Sequence, residues 1–330
     1  MNPLRRALLA AAATGALCGP LAPAVKAQRL RRIGYFGVTP SDADTTRRTL
    51  ELFRQGLREQ GLVEGRDYAL EYLWETRIER VPARMQTLAH SGVVLIVATT
   101  TPVALAAAKA TRDLPIVFGT VSDPVGSGLV ESLARPGGNI TGVTNVLPAL
   151  SGKLLELARE IVPGTSRVAV MWNPDNPAKT LELHELQAAA QRSGIALSLL
   201  PARTAAEIDA ALADLGGLGV QFLVTLSETL THQYRTRIAE LALAARMPSV
   251  SNHAPQVEAG GLVAYAPDYT LLGRRLGDLA GRILAGERPA TLPVEQPTNF
   301  ELVVNLKTAR LLGLKIPQSV PLRADRLIEA

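Results

Sequence analysis

Short apolar runs alternate with amphipathic stretches along most of this chain, and the alternation is played through twice. In the first half, residues 33–38, 68–73, 93–98 and 115–118 read as strands, with helices over 46–60 and 81–90 and another starting at Thr101. Leu50, Phe53 and Leu57 share one face of the first helix, and Gly61 ends it. Residues 93–98 are an unbroken apolar run, as expected of a strand covered on both faces. Thr101-Pro102 suits a helix start, because Thr caps and Pro fits the first turn. In the second half the strands fall at 167–172, 196–200, 220–226 and 248–251. The helices there run from Asn176-Pro177 to about Ser193, over 205–215 and over 231–245. Matching elements keep a near-constant offset: 135 positions from Ile33 to Val168, 127 from Leu95 to Phe222, 133 from Pro115 to Pro248. Such βα alternation builds a parallel sheet flanked by helices. The expectation is an α/β protein of two Rossmann-like lobes in tandem, which 330 residues accommodate.

The tail adds a strand over 261–266, a helix over 270–285 striped by Leu272, Leu276, Leu279 and Ile283, and a strand over 300–305 followed by residues 306–312. These pieces are expected to return to different lobes, so that several crossings make a hinge. The division expected is residues 31–144 plus 253–287 for lobe 1, and 145–252 plus 288–330 for lobe 2.

The N-terminus has the layout of a secretory signal peptide over residues 1–27: basic Arg5 and Arg6, an apolar run over 7–17, and small residues around Val25-Lys26-Ala27. The run is shorter than the roughly 20 apolar residues a membrane span needs. Cys18, the single cysteine, has two readings. It is either a lipid-modified new N-terminus or part of a segment removed near Ala27; Leu17, where a small residue belongs, favours the second. Removing Arg5, Arg6 and Lys26 takes the net charge from +5 to near +2. No basic stripe with interleaved aromatics is present, so nucleic acid is not an expected partner.

In an open parallel sheet, ligands bind beyond the carboxyl ends of the strands. That rule selects Thr39, Ser41 and Asp42 after the first strand, Thr99, Thr100 and Thr101 after the third, and Ser122 and Asp123 after the fourth. In the second lobe it selects Trp172 and Asn173, Ser227 and Glu228, and Asn252 and His253. The ligand-binding candidates are therefore Thr39, Thr99, Thr100, Thr101, Asp123, Asn145, Asn173, Ser227, Asn252, Tyr265 and Asp268. The threonine turn, with free N–H groups at a helix start, suits a carboxylate, and Asp123 suits an ammonium group. Trp172 and Tyr265 are the rings that could stack on a ligand, and core packing is the competing reading for each.

Catalytic motifs are thin. No phosphate-binding GxxxxGK loop or GxGxxG follows a strand, and His184-Glu185 lacks a second histidine four residues on. His184 and His232 fall on helices and read as surface residues. No metal, cofactor or catalytic residue is expected.

Several strings resemble the ABC transporter substrate-binding proteins of the tryptophan/tyrosine-transport-like class. They are residues 115–118, Ser122-Asp123-Pro124-Val125-Gly126-Ser127-Gly128-Leu129-Val130, residues 133–142, residues 167–174, residues 258–262, residues 293–298 and residues 300–309. The resemblance implies a type I periplasmic-binding-protein fold, a periplasmic location, a small-molecule ligand between the lobes, and a partner permease and ATPase, with membrane contact only through the permease. It places the ligand near Thr101-Pro102 and the Ser122-Asp123-Pro124-Val125 loop. In the second lobe, Ser227-Glu228-Thr229 and Ser251-Asn252-His253 do not follow the amino-acid-binding pattern. Three alternatives stand beside the transport receptor: a periplasmic sensor for a membrane receptor, an α/β enzyme, and a transcription regulator of the same fold class. The last requires a DNA-binding headpiece where this chain has its leader.

Overall fold

The computed structural model describes residues 30–38, 44–145, 147–269 and 271–329. The expected signal peptide over residues 1–27, Cys18, Thr39, Ser41 and Asp42 lie outside the described residues.

The first sheet is built from β1 (Arg31–Gly37), β2 (Tyr68–Trp74), β3 (Leu95–Ala98), β4 (Ile116–Val121) and β5 (Ile140–Thr144), in the order β2-β1-β3-β4-β5. Every pairing is parallel. Helices cover both faces, which is why β3 is apolar throughout and wholly buried. On one face α2 (Val81–Ala89) and α3 (Thr101–Ala110) bring Met85, Leu88, Val103 and Ala107 onto Phe36, Ile96, Ile116 and Phe118. On the other, α1 (Asp44–Glu59) sets Leu50, Phe53 and Leu57 against Ile33, Tyr35, Leu95 and Val97.

The second sheet takes β6 (Arg167–Trp172), β7 (Ala196–Pro201), β8 (Phe222–Thr225), β9 (Ser249–Ser251), β10 (Val263–Pro267), β11 (Phe300–Asn305) and β12 (Arg326–Ile328), in the order β12-β11-β10-β9-β8-β6-β7. All its pairings are parallel except β10 with β11. Alternate residues of β6 serve opposite faces. Val168 and Val170 join a core with α4 (Leu147–Ile161), α5 (Pro177–Ser193) and α11 (Leu306–Leu312). Ala169 and Met171 join one with α6 (Ala205–Ala213) and α8 (Arg235–Ala244). The short helices α7 (Thr229–Gln233), α9 (Ala254–Glu258) and α12 (Ser319–Arg323) complete the lobe.

Three features differ from the sequence reading. Residues 231–245 are not one helix: α7 ends at Gln233, and Tyr234, with φ −97° and ψ 15°, separates it from α8. β5 and α4 have no counterpart in that reading, although Leu150, Leu154, Leu157 and Ile161 mark one helical stripe. The expected division also moves. Residues 253–267 belong to lobe 2, because α9 is a crossover that lays β10 beside β9 in the same sheet. Residues 288–295 belong to lobe 1: Leu292 and Val294 are buried in its two cores, and Glu295 bridges Val143. Only α10 (Leu272–Leu284) returns to lobe 1 as expected, burying Leu276, Leu279 and Ile283 against α1. The chain thus crosses between lobes three times: after β5, after β10 and before β11. Among the described residues, no helix is long and apolar enough to cross a membrane.

Candidate functional site

A cleft of about 1260 Å³ opens where the carboxyl ends of β1, β3 and β4 face those of β8 and β9. The β3–α3 turn contributes Thr99, Thr100, Thr101 and Pro102. Thr99 Oγ1 donates to the carbonyl of Phe36 at 3.2 Å, which ties the turn to β1. Thr100, extended at φ −141°, is the residue that flanks α3, yet its side chain caps nothing. Its Oγ1 is buried without a hydrogen-bond partner. The end of β4 is irregular. Thr120 has φ 49°, a left-handed conformation unusual for a β-branched residue, and it sits at a register shift against β5. Its hydroxyl donates to Thr99 O at 2.5 Å, and its carbonyl accepts from Asn145 Nδ2 at 3.1 Å. These bonds hold a backbone strain of the kind that clusters at binding sites, and they anchor Asn145 at the first crossing with its Oδ1 buried and unpartnered.

On the second lobe, a buried polar network underlies the wall. Asn252, fully buried, accepts from Ser227 N at 3.1 Å and donates from Nδ2 to Glu182 Oε1. The other Glu182 oxygen accepts from Lys179 Nζ. Lys179 and Glu182 are 1% and 0% exposed, so each charge depends on the other for solvation. Lys179 Nζ also reaches Ser122 Oγ of lobe 1 at 3.4 Å. Gln233 Nε2 donates to Thr76 O at 3.3 Å, a second bond across the lobes. Glu228 caps α7, accepting from Leu230 N at 2.8 Å and Thr231 N at 3.2 Å. Burial raises its carboxyl above the ordinary range, against the pull of those bonds and Lys179.

His232 on α7 and His253 after β9 meet edge to face, with ring centres 5.0 Å apart, and His253 lies 5.9 Å from Tyr269. Burial, and then the charge of Arg235, bring His232 down to about 4. Burial also pushes His253 well below its ordinary value, with His232, Arg235 and Lys179 adding to it. Both rings are therefore neutral at pH 7. Both Nδ1 atoms are buried without a partner. Thr229 Oγ1 is in the same condition.

Of the ligand-binding candidates, Thr99, Thr100, Thr101, Asn145, Ser227 and Asp268 line the cleft, as do Ser122, Glu228 and His253 selected by the same strand-end rule. Asp268 stands at the second crossing, where its N–H donates to Asn299 O at 3.0 Å. Four others do not line it. Asp123 turns back on its own loop, accepting from Gly126 N at 2.7 Å, so the expected ammonium partner is a turn-former. Asn173 makes a similar local bond, accepting from Asp175 N at 3.0 Å. Asn252 lies beneath the wall, in the network described above. Tyr265 stacks on Phe300 at 5.9 Å and packs on the second lobe's core, as does Trp172. Sequence reasoning missed Tyr35, Tyr72, Lys179, His232 and Tyr269, all of which line the cleft. His232 was expected on the surface. The signal was present: it sits in the first turns of a helix that starts at the end of a strand, and such turns face the cleft.

Two α/β lobes, three crossings and an interlobe cleft at the strand ends define a type I periplasmic-binding-protein fold. Residues 40–328 match the family model for ABC transporter substrate binding protein, and the chain belongs to that family. A tyrosine-binding protein from Clostridioides difficile is 29% identical over 67% of this chain, and the match spans 63% of that relative's length. A Streptococcus pneumoniae ABC domain in complex with L-Trp superimposes with a TM-score of 0.84 at 24% identity, over 91% of this chain and 100% of the other. The ligand-free, open form of a Clostridium difficile substrate-binding protein with adhesive properties gives 0.66 at 24% identity, over the same shares.

Proposed function

We propose that this ABC substrate-binding protein works outside the cytoplasm, captures an amino acid with an aromatic side chain in the interlobe cleft, and delivers it to a membrane permease driven by an ATPase. The observation that carries the reading is where unsatisfied polarity collects. Of six buried side-chain polar atoms without a partner among the described residues, five belong to Thr100, Asn145, Thr229, His232 and His253, all lining one cleft. Native proteins rarely leave such atoms unpaired, so a ligand is the natural partner. The aromatic part of the reading rests on the rings. The whole chain is only 4% aromatic, yet Tyr35, Tyr72, Tyr269 and Phe300 all line the cleft. The tyrosine-binding relative and the L-Trp complex support the same ligand class.

In this reading the threonine turn and the start of α3 hold the carboxylate. Asp268 faces the ammonium group, and the rings enclose the side chain. Closure buries the ligand and completes contacts such as Lys179 to Ser122, and the permease recognises the closed surface. Capture needs no covalent step. The leader over residues 1–27 is the export signal in this account.

A thermal-shift screen of the chain against the amino acids, organic acids and sugars tests the reading. A ligand at a hundredfold excess over Kd adds about 2.7 kcal/mol to stability. The expected result is a rise in Tm with L-tyrosine or L-tryptophan. A rise with a sugar and with no amino acid would overturn the proposal.

A further inference from the structure

We propose that His232 and His253 together form a specificity element that accepts a hydrogen bond from the ligand's side chain, so that the cleft prefers a ring bearing an O–H or N–H donor over a bare hydrocarbon ring. The inference rests on the aromatic amino-acid reading and adds the group that discriminates within that class.

Geometry carries it. The two imidazoles come from different elements of lobe 2, α7 and the loop after β9, and converge edge to face on the cleft wall. Each presents a buried Nδ1 that no protein group satisfies. A neutral imidazole has one donor and one acceptor nitrogen. Two converging imidazoles can therefore take a proton donor and return one to an oxygen. Burial first, and then the charges around them, keep the pair neutral. Arg235 opens α8 and donates from Nη1 to His232 O at 2.8 Å. Lys179 on α5 bears on His253, and His232 too opposes its protonation. The acids on this side are engaged: Glu228 caps α7 and Glu182 holds Lys179. Glu258 on α9 is bonded to Arg326, and Tyr269 packs against His253 from the second crossing. Among the described residues, no group of three or more metal-ligating side chains forms, so the pair is not part of a metal site. A bare ring against two dry Nδ1 atoms leaves both unsatisfied, and sites built to hydrogen-bond a substrate strongly reject the analogue that lacks the donor.

Titration calorimetry with L-tyrosine, L-tryptophan and L-phenylalanine supplies the test, on the unaltered chain and on H232L/H253L and H232Q/H253Q. The unaltered protein should bind L-tyrosine or L-tryptophan at least about tenfold more tightly than L-phenylalanine. The preference should hold from pH 8 to pH 5.5. The leucine pair should bring the ratio close to one, and the glutamine pair should keep most of it. A ratio unchanged in the leucine pair overturns the assignment alone, whereas binding of none of the three overturns both it and the aromatic reading. Should the leucine pair fold poorly, imidazole nitrogen resonances of the unaltered protein decide. Added L-tyrosine should shift both Nδ1 signals, and unmoved signals under saturating L-tyrosine refute the contact.

Discussion

Lys179 and Glu182 show what a single side chain means in this cleft. They sit three residues apart on α5, both excluded from water, and Asn252 locks the carboxylate from the far side. A buried pair of this kind adds little net stability over an apolar pair, yet losing one member strands the other. Glu182→Ala should therefore cost about 3–5 kcal/mol in urea unfolding. K179M/E182Q, which removes the lone charge and keeps an acceptor for Asn252, should recover most of that loss. A double variant as unstable as the single one would show that the pair itself holds the lobe together. At this scale the sequence was partly legible. Polar residues following apolar strands marked the threonine turn and Ser227, because strand ends meet the cleft whatever the local chemistry. Asp123 misled because an Asp ahead of Pro124 is satisfied by its own loop. Lys179 and His232 escaped notice because charged and imidazole groups on helices read as solvated, and only tertiary packing buries them.

In lobe 1, α1 and α10 cross backbone to backbone. A Cβ added at Gly277 would lie 2.1 Å from Phe53 O, and one at Gly56 would lie 2.1 Å from Arg274 O. Backbone meets backbone there, so no side-chain motion relieves the clash. Alanine raises helix propensity by about 1 kcal/mol over glycine. Overpacking, which costs about 1–3 kcal/mol in ordinary cores, should outweigh this, and Gly277→Ala is expected to lower Tm. Gly152 on α4 is the internal control. Its added Cβ would find only Ala189 Cβ, at 3.7 Å, and Gly152→Ala should raise Tm. Equal shifts of one sign in the two variants would contradict this packing account. The stripe on α10 was readable from its apolar spacing, and so was its return to lobe 1. The path on either side was not. β10 and residues 288–295 are short, and their lobe is set by strand pairing and by Leu292 and Val294 finding different cores, neither of which periodicity encodes.

At the scale of the molecule, the two lobes meet through few direct contacts beyond the crossings. Lys179 to Ser122 and Gln233 to Thr76 bridge them. An added Cβ at exposed Gly126 of lobe 1 would meet Asp123 Oδ2 of its own loop at 2.2 Å and Leu181 Cδ1 of lobe 2 at 2.8 Å. Gly126→Phe should therefore prop the cleft open: ligand affinity should fall at least tenfold, about 1.4 kcal/mol, with a small loss of ligand-free Tm from the displaced Asp123 turn. Small-angle scattering should show the unaltered protein contracting on binding its ligand and the variant failing to contract. The three crossings carry one more consequence. Neither lobe is a continuous stretch of chain, and the face of α1 that carries Leu52 and Gly56 stays bare until α10, more than 200 residues later, arrives to cover it. During synthesis the N-terminal half must therefore wait, sticky and incomplete, for nearly the whole polypeptide to emerge. Until it is covered, that helix is the surface on which partly made chains would stick to one another.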